Sequence, residues 1–121
     1  MRVIYVHFDT ANESVAVLPA TEVVFAGQQV VWVVSATGKS ITRVELELKG
    51  KTKPFSFGGS KKASYSQKLQ NGRAWIHGVA PHVKKGELAR YEYTVRGIRG
   101  KEKPPIELDP VIIIVPPEPI H

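Results

Sequence analysis

The sequence predicts an all-β sandwich, and three observations support this prediction. Apolar residues alternate with polar ones along most of the chain, and a period of two is the period of a β-strand. Gly, Pro and an Asn-Gly pair separate these alternating segments at short intervals. No segment keeps the period of a helix for longer than about one turn. Short strands with turn signals between them are typical of a two-layered sandwich.

The first half of the chain is predicted to form a long broken strand, a central strand and two half-buried strands. Residues 3–8 are β-branched and aromatic, and residues 44–49 alternate cleanly. The strand over residues 15–25 should break near Pro19, because proline cannot donate a hydrogen bond to the ladder. Residues 29–35 are apolar without alternation, so we expect a central strand with both faces at least partly covered.

The second half is predicted to hold four more strands and three basic loops. The strands are expected at residues 65–69, 73–77, 88–96 and 111–115. The loops are expected at residues 49–62, 78–86 and 97–105, the first of them anchored by Phe55 and Phe57. Asn71-Gly72 signals a hairpin turn, because both residues tolerate positive φ. Seven to nine strands in all are therefore predicted.

Length and composition indicate one domain, which we place at residues 1–116 with a tail at 117–121. The absence of cysteine excludes disulfides, thiolate metal sites and cysteine nucleophiles. No apolar run approaches the roughly 20 residues that span a bilayer. The N-terminus is too short and too polar for a signal peptide, so the chain as given is interpreted as cytoplasmic, or as periplasmic or secreted if a leader was removed.

The net charge of +6 is unevenly distributed along the chain. Residues 39–103 hold sixteen of the seventeen Lys and Arg but five of the eleven Asp and Glu, so this segment carries +11 and the remainder −5. Such asymmetry predicts a basic face or end that attracts polyanions. The competing interpretation is a solvated, lysine-rich surface on loops.

Three stretches, in order, resemble the cupredoxin (plastocyanin-like) family of β-sandwiches. They are residues 23–32 (VVFAGQQVVW), residues 86–93 (GELARYEY) and residues 109–115 (DPVIIIV). The resemblance implies a Greek-key β-sandwich. An immunoglobulin-like sandwich is the alternative, although the Cys…Trp…Cys spacing of that family is absent.

The same resemblance implies a copper site that this sequence cannot build. Cupredoxins hold one copper with two His, one Cys and a weak axial Met. The first His is expected near Ser40 and the Cys near Thr94 or Val95, with the remaining ligands in residues 96–101. The sequence has no Cys, and its one Met is Met1. We therefore expect the fold without the metal, and no cofactor.

No catalytic motif emerges from the sequence, and we predict a protein that is not an enzyme. No Gly-x-Ser-x-Gly occurs. Glu45 and Glu47 share one strand face, where pairing with Lys or Arg is expected rather than catalysis. The run from Gly58 to Lys62 lacks the spacing and the following helix of a phosphate loop.

The predicted function is a non-catalytic binding or assembly module that contacts a protein or polyanionic partner through its basic loops. The candidate residues are Lys51, Lys53, Lys61, Lys62, Lys84, Lys85, Arg99, Lys101 and Lys103. One alternative is a small-molecule, carbohydrate or metal-handling domain that uses Trp75, His77 and His82, although two imidazoles are too few for a metal site. The other alternative is nucleic-acid binding, which is weakened because strand parity assigns Tyr91 and Tyr93 to the core. The sequence indicates no oligomeric state.

Overall fold

The computed structural model describes residues 1–49, 54–100 and 103–116. Within these residues the chain forms twelve β-strands and no helix, so no helix there could cross a bilayer. The strands are β1 (Arg2–Asp9), β2 (Ser14–Leu18), β3 (Thr21–Phe25), β4 (Gln29–Ala36), β5 (Arg43–Leu48), β6 (Phe55–Phe57), β7 (Ser60–Lys62), β8 (Ser64–Lys68), β9 (Arg73–Val79), β10 (Ala89–Ile98), β11 (Ile106–Leu108) and β12 (Val111–Val115).

The strands form two sheets around one apolar core, which confirms the predicted all-β sandwich. The first sheet has the order β2-β1-β4-β9-β6-β7. The second has the order β3-β12-β10-β5-β8, and β11 pairs with β10 beyond the end of β12. Both sheets are mixed, because β1 runs parallel to β4 and β3 runs parallel to β12. Buried residues of both sheets make up the core cluster.

The long N-terminal strand is divided between the two sheets at the predicted position. Its first part, β2, pairs with β1, and its second part, β3, pairs with β12. Pro19 and Ala20 lie between them, and the Ala20 carbonyl accepts a hydrogen bond of 2.9 Å from the Val111 N–H. A residue without an N–H donor is placed where the chain leaves one ladder for another.

The strand β4 lies at the centre of the first sheet, between β1 and β9, as its unbroken apolar sequence predicts. Val30 and Trp32 point into the core and are fully buried. Val31 points to the outer face and is still only 5% exposed, with Val3 of β1 and His77 of β9 as its cross-strand neighbours. Both faces of this strand are therefore covered, as expected.

Aromatic side chains fill the middle of the core. The Trp32 indole N–H donates to the Tyr93 hydroxyl over 3.3 Å, and the two rings meet edge to face at 6.0 Å between centroids. Phe55 packs edge to face against Tyr91 at 5.7 Å. Burial raises the pKa of the Tyr93 hydroxyl, so this group stays protonated. The predicted inward orientation of Tyr91 and Tyr93 is confirmed.

The structure adds three short strands to those predicted, two of them in the loop expected at residues 49–62. Residues 55–62 form the β6–β7 hairpin, whose glycine turn has positive φ at Gly58 and Gly59, and β6 extends the first sheet along β9. Phe55 and Phe57 are buried, as predicted for the residues that anchor this segment. Residues 106–108 form β11. These three-residue strands are too short to show a period, and they raise the number of strands above the seven to nine expected. The predicted tail, 117–121, lies outside the described residues.

Candidate functional site

The connections between strands gather at two ends of the sandwich. We call the lower end the one that contains the turn at residues 26–28 and the loop at residues 80–88. Two hydrogen bonds of 3.0 Å join these segments, from the Gly27 N–H to the Ala80 carbonyl and from the Ala80 N–H to the Gln28 carbonyl. The upper end contains residues 10–13, 37–42, 69–72 and the part of 99–105 that the structure describes.

A cavity of about 510 Å³ opens at the lower end. Its lining is Gly27, Pro54, Ser56, Lys61, Val79, Ala80, Pro81 and His82. Lys61 reaches it because β7 pairs with β6 and β6 pairs with β9, which brings the hairpin beside the 80–88 loop. The volume lies within the range of ligand sites, and the lining combines apolar walls with three polar side chains, Ser56, Lys61 and His82. The cavity therefore brings together Lys61 of the predicted basic site and His82 of the alternative ligand site.

Four predicted lysines surround this end of the molecule. Lys61 and Lys62 lie on the edge strand β7, and Lys84 and Lys85 follow His82 in the same loop. All four are exposed, and within the described part of the chain none of them forms an ion pair with a carboxylate. The Lys62 ammonium lies 5.9 Å from the centre of the Tyr65 ring, a cation–π contact. The lower end thus presents positive charge that the described residues do not neutralise.

The remaining predicted cations are placed elsewhere. Arg99 lies at the upper end, where its guanidinium donates to the Pro104 carbonyl over 3.0 and 2.7 Å and pairs with Glu13 at 3.0 Å. Its side chain is only 6% exposed, so it holds two loops together and offers no surface to a partner. Lys103 is exposed in the same loop. Lys51, Lys53 and Lys101 lie outside the described residues.

The alternative site of Trp75, His77 and His82 is not assembled as one cluster. Trp75 and His77 point outward from β9, opposite Val33 and Val31 of β4. His82 instead lines the lower cavity, which the other two do not. In the chain as far as it is described, no group of three or more His, Cys, Asp or Glu side chains is arranged to hold a metal ion.

An exposed apolar row crosses the outer face of the first sheet, and sequence reasoning missed it. Strand register places Leu18, Tyr5, Val33 and Trp75 side by side on four adjacent strands. The exposed fractions are 64% for Leu18, 58% for Tyr5 and 50% for Trp75. The alternation within each strand indicates that Tyr5 and Trp75 point away from the core, but only the register brings them into one row.

Side chains that do not suit copper occupy the positions where the resemblance implies its ligands. Ser40 lies in the upper loop after β4. The Thr94 hydroxyl donates to Asp109 over 2.7 Å, and Val95 is fully buried in the core. Hydrogen bonds from Lys49 and then from Thr94 lower the pKa of Asp109. An aliphatic side chain cannot coordinate a cation, and the hydroxyl of Thr94 is already engaged.

Three acidic side chains of the second sheet surround one arginine on its outer face. Arg96 forms ion pairs with Glu45, with Glu107 at 2.8 Å and with Glu47 at 3.5 Å. Hydrogen bonds to Glu107 and then to Glu45 raise the pKa of the guanidinium. The prediction that Glu45 and Glu47 pair with basic neighbours on a solvent face is confirmed.

Comparison of the chain with protein-family models, with curated proteins and with solved structures finds no match in any of the three.

Proposed function

We propose that this protein is a cupredoxin-like sandwich without copper that acts as a non-catalytic binding module, and that it contacts an anionic partner through its lower end. The observation that supports this most directly is a group of four exposed lysines on the β6–β7 hairpin and the 80–88 loop, none of which forms an ion pair with a described carboxylate, and of which Lys61 lines the lower cavity. Charges of one sign on loops and an edge strand raise the local concentration of an oppositely charged partner and speed its association. A polyanion or the acidic surface of a protein satisfies this chemistry.

The cupredoxin-like part of the proposal is supported by where the resembling stretches lie. Residues 23–32 continue from β3 into β4, residues 86–93 lead into β10, and residues 109–115 contain β12. These are strands that build the core rather than peripheral loops. The side chains at Ser40, Thr94 and Val95 argue against copper chemistry at the corresponding positions, which leaves binding as the proposed role.

Heparin, a soluble polyanion, is the probe for this function. The wild-type protein should bind immobilised heparin, and log affinity should fall linearly with log salt concentration as counterions are released. Two double variants, Lys61→Gln/Lys62→Gln and Lys84→Gln/Lys85→Gln, should each weaken retention. The variant Arg73→Gln/Lys103→Gln removes two exposed charges that do not line the lower cavity and serves as the control. Equal loss in all three variants would overturn the assignment to the lower end.

A second candidate function, carbohydrate binding, is favoured by the apolar row of the first sheet. Tyr5 and Trp75 are separated by one strand, so their backbone positions lie about 10 Å apart on the same outer face. Exposed aromatic rings stack on the apolar faces of sugar rings, and polar side chains such as His77 border the row. Cellohexaose should then change the tryptophan fluorescence of the wild type but leave that of Trp75→Ala unchanged. No change in the wild type would dismiss this candidate.

Nucleic-acid binding remains the least supported alternative. Tyr91 and Tyr93 are buried, so they offer no platform on which bases could stack. A single-stranded oligonucleotide tested beside heparin separates the possibilities, because a stacking site would bind it more tightly than its charge alone explains.

A further inference from the structure

A second cavity, of about 640 Å³, opens at the upper end and is lined by three cations. Its lining is Ala36, Gly38, Lys39, Ile41, Thr42, Arg43, Lys68, Leu69, Asn71 and Gly72. None of these lining residues is acidic. Lys39 lies in the loop after β4, Arg43 begins β5 and Lys68 ends β8, so the three charges come from separate segments. The fold itself brings them together.

Two of these cations are direct cross-strand neighbours. Arg43 and Lys68 are paired residues in the antiparallel β5–β8 ladder. Like charges directly opposite each other destabilise a sheet. The Arg43 guanidinium donates one hydrogen bond of 2.8 Å to the Ser66 hydroxyl, which uses one of its five N–H donors. The pair therefore costs stability unless an anion lies between or beside the two charges.

The carboxylates that could neutralise this pair are engaged elsewhere. Glu45 lies on the same face of β5, one side-chain position from Arg43, but it pairs with Arg96. Glu47 and Glu107 pair with the same guanidinium. Within the described ranges, neither Arg43 nor Lys68 forms an ion pair with a carboxylate. Three carboxylates of this sheet are thus grouped around one arginine, and positive charge is left at the upper cavity.

The backbone of the cavity is held in place by hydrogen bonds between its walls. The Ala36 N–H donates to the Gly72 carbonyl over 2.9 Å, and the Leu69 N–H donates to the Thr42 carbonyl over 3.0 Å. Asn71 and Gly72 form the hairpin turn with positive φ values of 54° and 73°. A side chain at Gly72 would place its Cβ 3.0 Å from the Ala36 carbonyl oxygen, so this close approach requires glycine. The walls are preorganised rather than assembled by a ligand.

We propose that the upper cavity binds a phosphate or sulfate group. Arg43 supplies a planar donor group suited to a tetrahedral oxyanion, and Lys39 and Lys68 supply ammonium charges. This site goes beyond the proposed function, because it lies at the opposite end from the lower lysines and takes a compact ion rather than an extended partner. Either site can exist without the other.

Thermal unfolding in inorganic pyrophosphate, inorganic phosphate or phosphoserine tests the site, with ionic strength held constant by sodium chloride. Each oxyanion should raise the melting temperature with concentration, because a ligand that binds only the folded state stabilises it. Lys39→Gln and Lys68→Gln should each weaken binding by about tenfold, the equivalent of one charge-assisted hydrogen bond. Tighter binding of phosphoserine than of phosphate would assign the site to an ester, and the reverse order to the free ion.

A second readout separates a ligand site from a merely basic surface. Lys68→Gln should raise the melting temperature of the ligand-free protein, because it removes the like-charge neighbour of Arg43, while it weakens the response to pyrophosphate. Lys84→Gln/Lys85→Gln at the lower end should leave the pyrophosphate response unchanged and serves as the matched control. The proposal is overturned if wild type shows no response at constant ionic strength, or if Lys39→Gln/Lys68→Gln keeps the full response.

Discussion

The two ends of the sandwich carry positive charge in different ways. At the lower end four lysines lie on an edge strand and a loop around a largely apolar cavity. At the upper end two of three cations are fixed at strand ends by the register of one ladder, and the third lies in the loop beside them. Loop and edge cations can adapt to a large partner, whereas cations fixed by a ladder suit a small ion of defined shape. We therefore expect the lower end to bind a larger partner than the upper cavity does.

The largest expected effect would come from removing the anchor of the lower end. Phe55 is fully buried, and its ring contacts Trp32, Phe57 and Tyr91 at centroid distances of 5.7 to 6.1 Å. Phe55→Ala should lower the free energy of unfolding by about 3–5 kcal/mol, measured by urea denaturation. It should also weaken heparin binding under conditions where the variant remains folded, because the hairpin that carries Lys61 and Lys62 would lose its attachment.

The exposed aromatic Tyr5 provides the comparison for Phe55→Ala. Because 58% of its surface is exposed, Tyr5→Ala should cost less than about 1 kcal/mol. Equal destabilisation by the two substitutions would contradict the assignment of Phe55 as the anchor.

The next effect tests how tightly the upper end is packed. A Cβ at Gly97 would lie 2.7 Å from the Phe8 ring and 3.1 Å from the Ile41 side chain. Gly97→Ala should therefore lower the free energy of unfolding by about 1–3 kcal/mol through overpacking. Gly100→Ala, three residues away and with open space around its Cβ position, is the matched control and should be close to neutral. Similar melting temperatures for the two variants would show that the upper end is looser than the distances indicate.

Strand-level features of this fold could be predicted because their signals are local. The alternation of Tyr91, Tyr93 and Val95 indicates a buried face without knowledge of any neighbour, and all three are buried. Pro19 marks a break by lacking a donor, and the chain changes sheets there. The β6–β7 hairpin and β11 were missed, because three residues contain too few alternations to define a period.

Features that depend on register could not be predicted from the sequence. Arg43 and Lys68 are 25 positions apart in the chain, and only the β5–β8 pairing makes them neighbours. Lys61 and His82 meet through two successive strand pairings. Arg99 looked like one more loop cation, because composition cannot distinguish a solvated guanidinium from one that is satisfied by carbonyl oxygen and Glu13.

Removing Arg99 should distinguish structural charge from charge available to a partner. Arg99→Met leaves the Pro104 carbonyl without its donor and Glu13 without its cation. The free energy of unfolding should fall by about 1–2 kcal/mol, because the hydrogen bonds of a charged and largely buried guanidinium are lost, while Pro104 and Glu13 are exposed to water. Heparin retention at a temperature where the variant is folded should remain that of the wild type. A loss of retention comparable to that of Lys84→Gln/Lys85→Gln would instead place Arg99 in the binding surface.

The smallest effect concerns the ion pair between Lys49 and Asp109, at 2.7 Å. Hydrogen bonds from Lys49 and Thr94 hold the pKa of Asp109 below its usual value. A carboxyl group with a lower pKa in the folded state contributes stability above its unfolded pKa of about 3.9, and this contribution is lost as pH falls through the folded value. Asp109→Asn should therefore make unfolding less sensitive to pH below about 4.

This contribution to stability should be small, because the side chains of Lys49 and Asp109 are 42% and 52% exposed. A double-mutant cycle with Lys49→Met and Asp109→Asn should give only a small coupling energy, and a smaller one at high salt. Lys68→Gln should instead raise the free energy of unfolding, because that lysine faces Arg43 rather than a carboxylate. If ligand-free Lys68→Gln lost stability as Lys49→Met does, the like-charge pair would not be a cost of the fold. The distinction between paired charge in the body of the sandwich and unpaired charge at its upper end would then no longer hold.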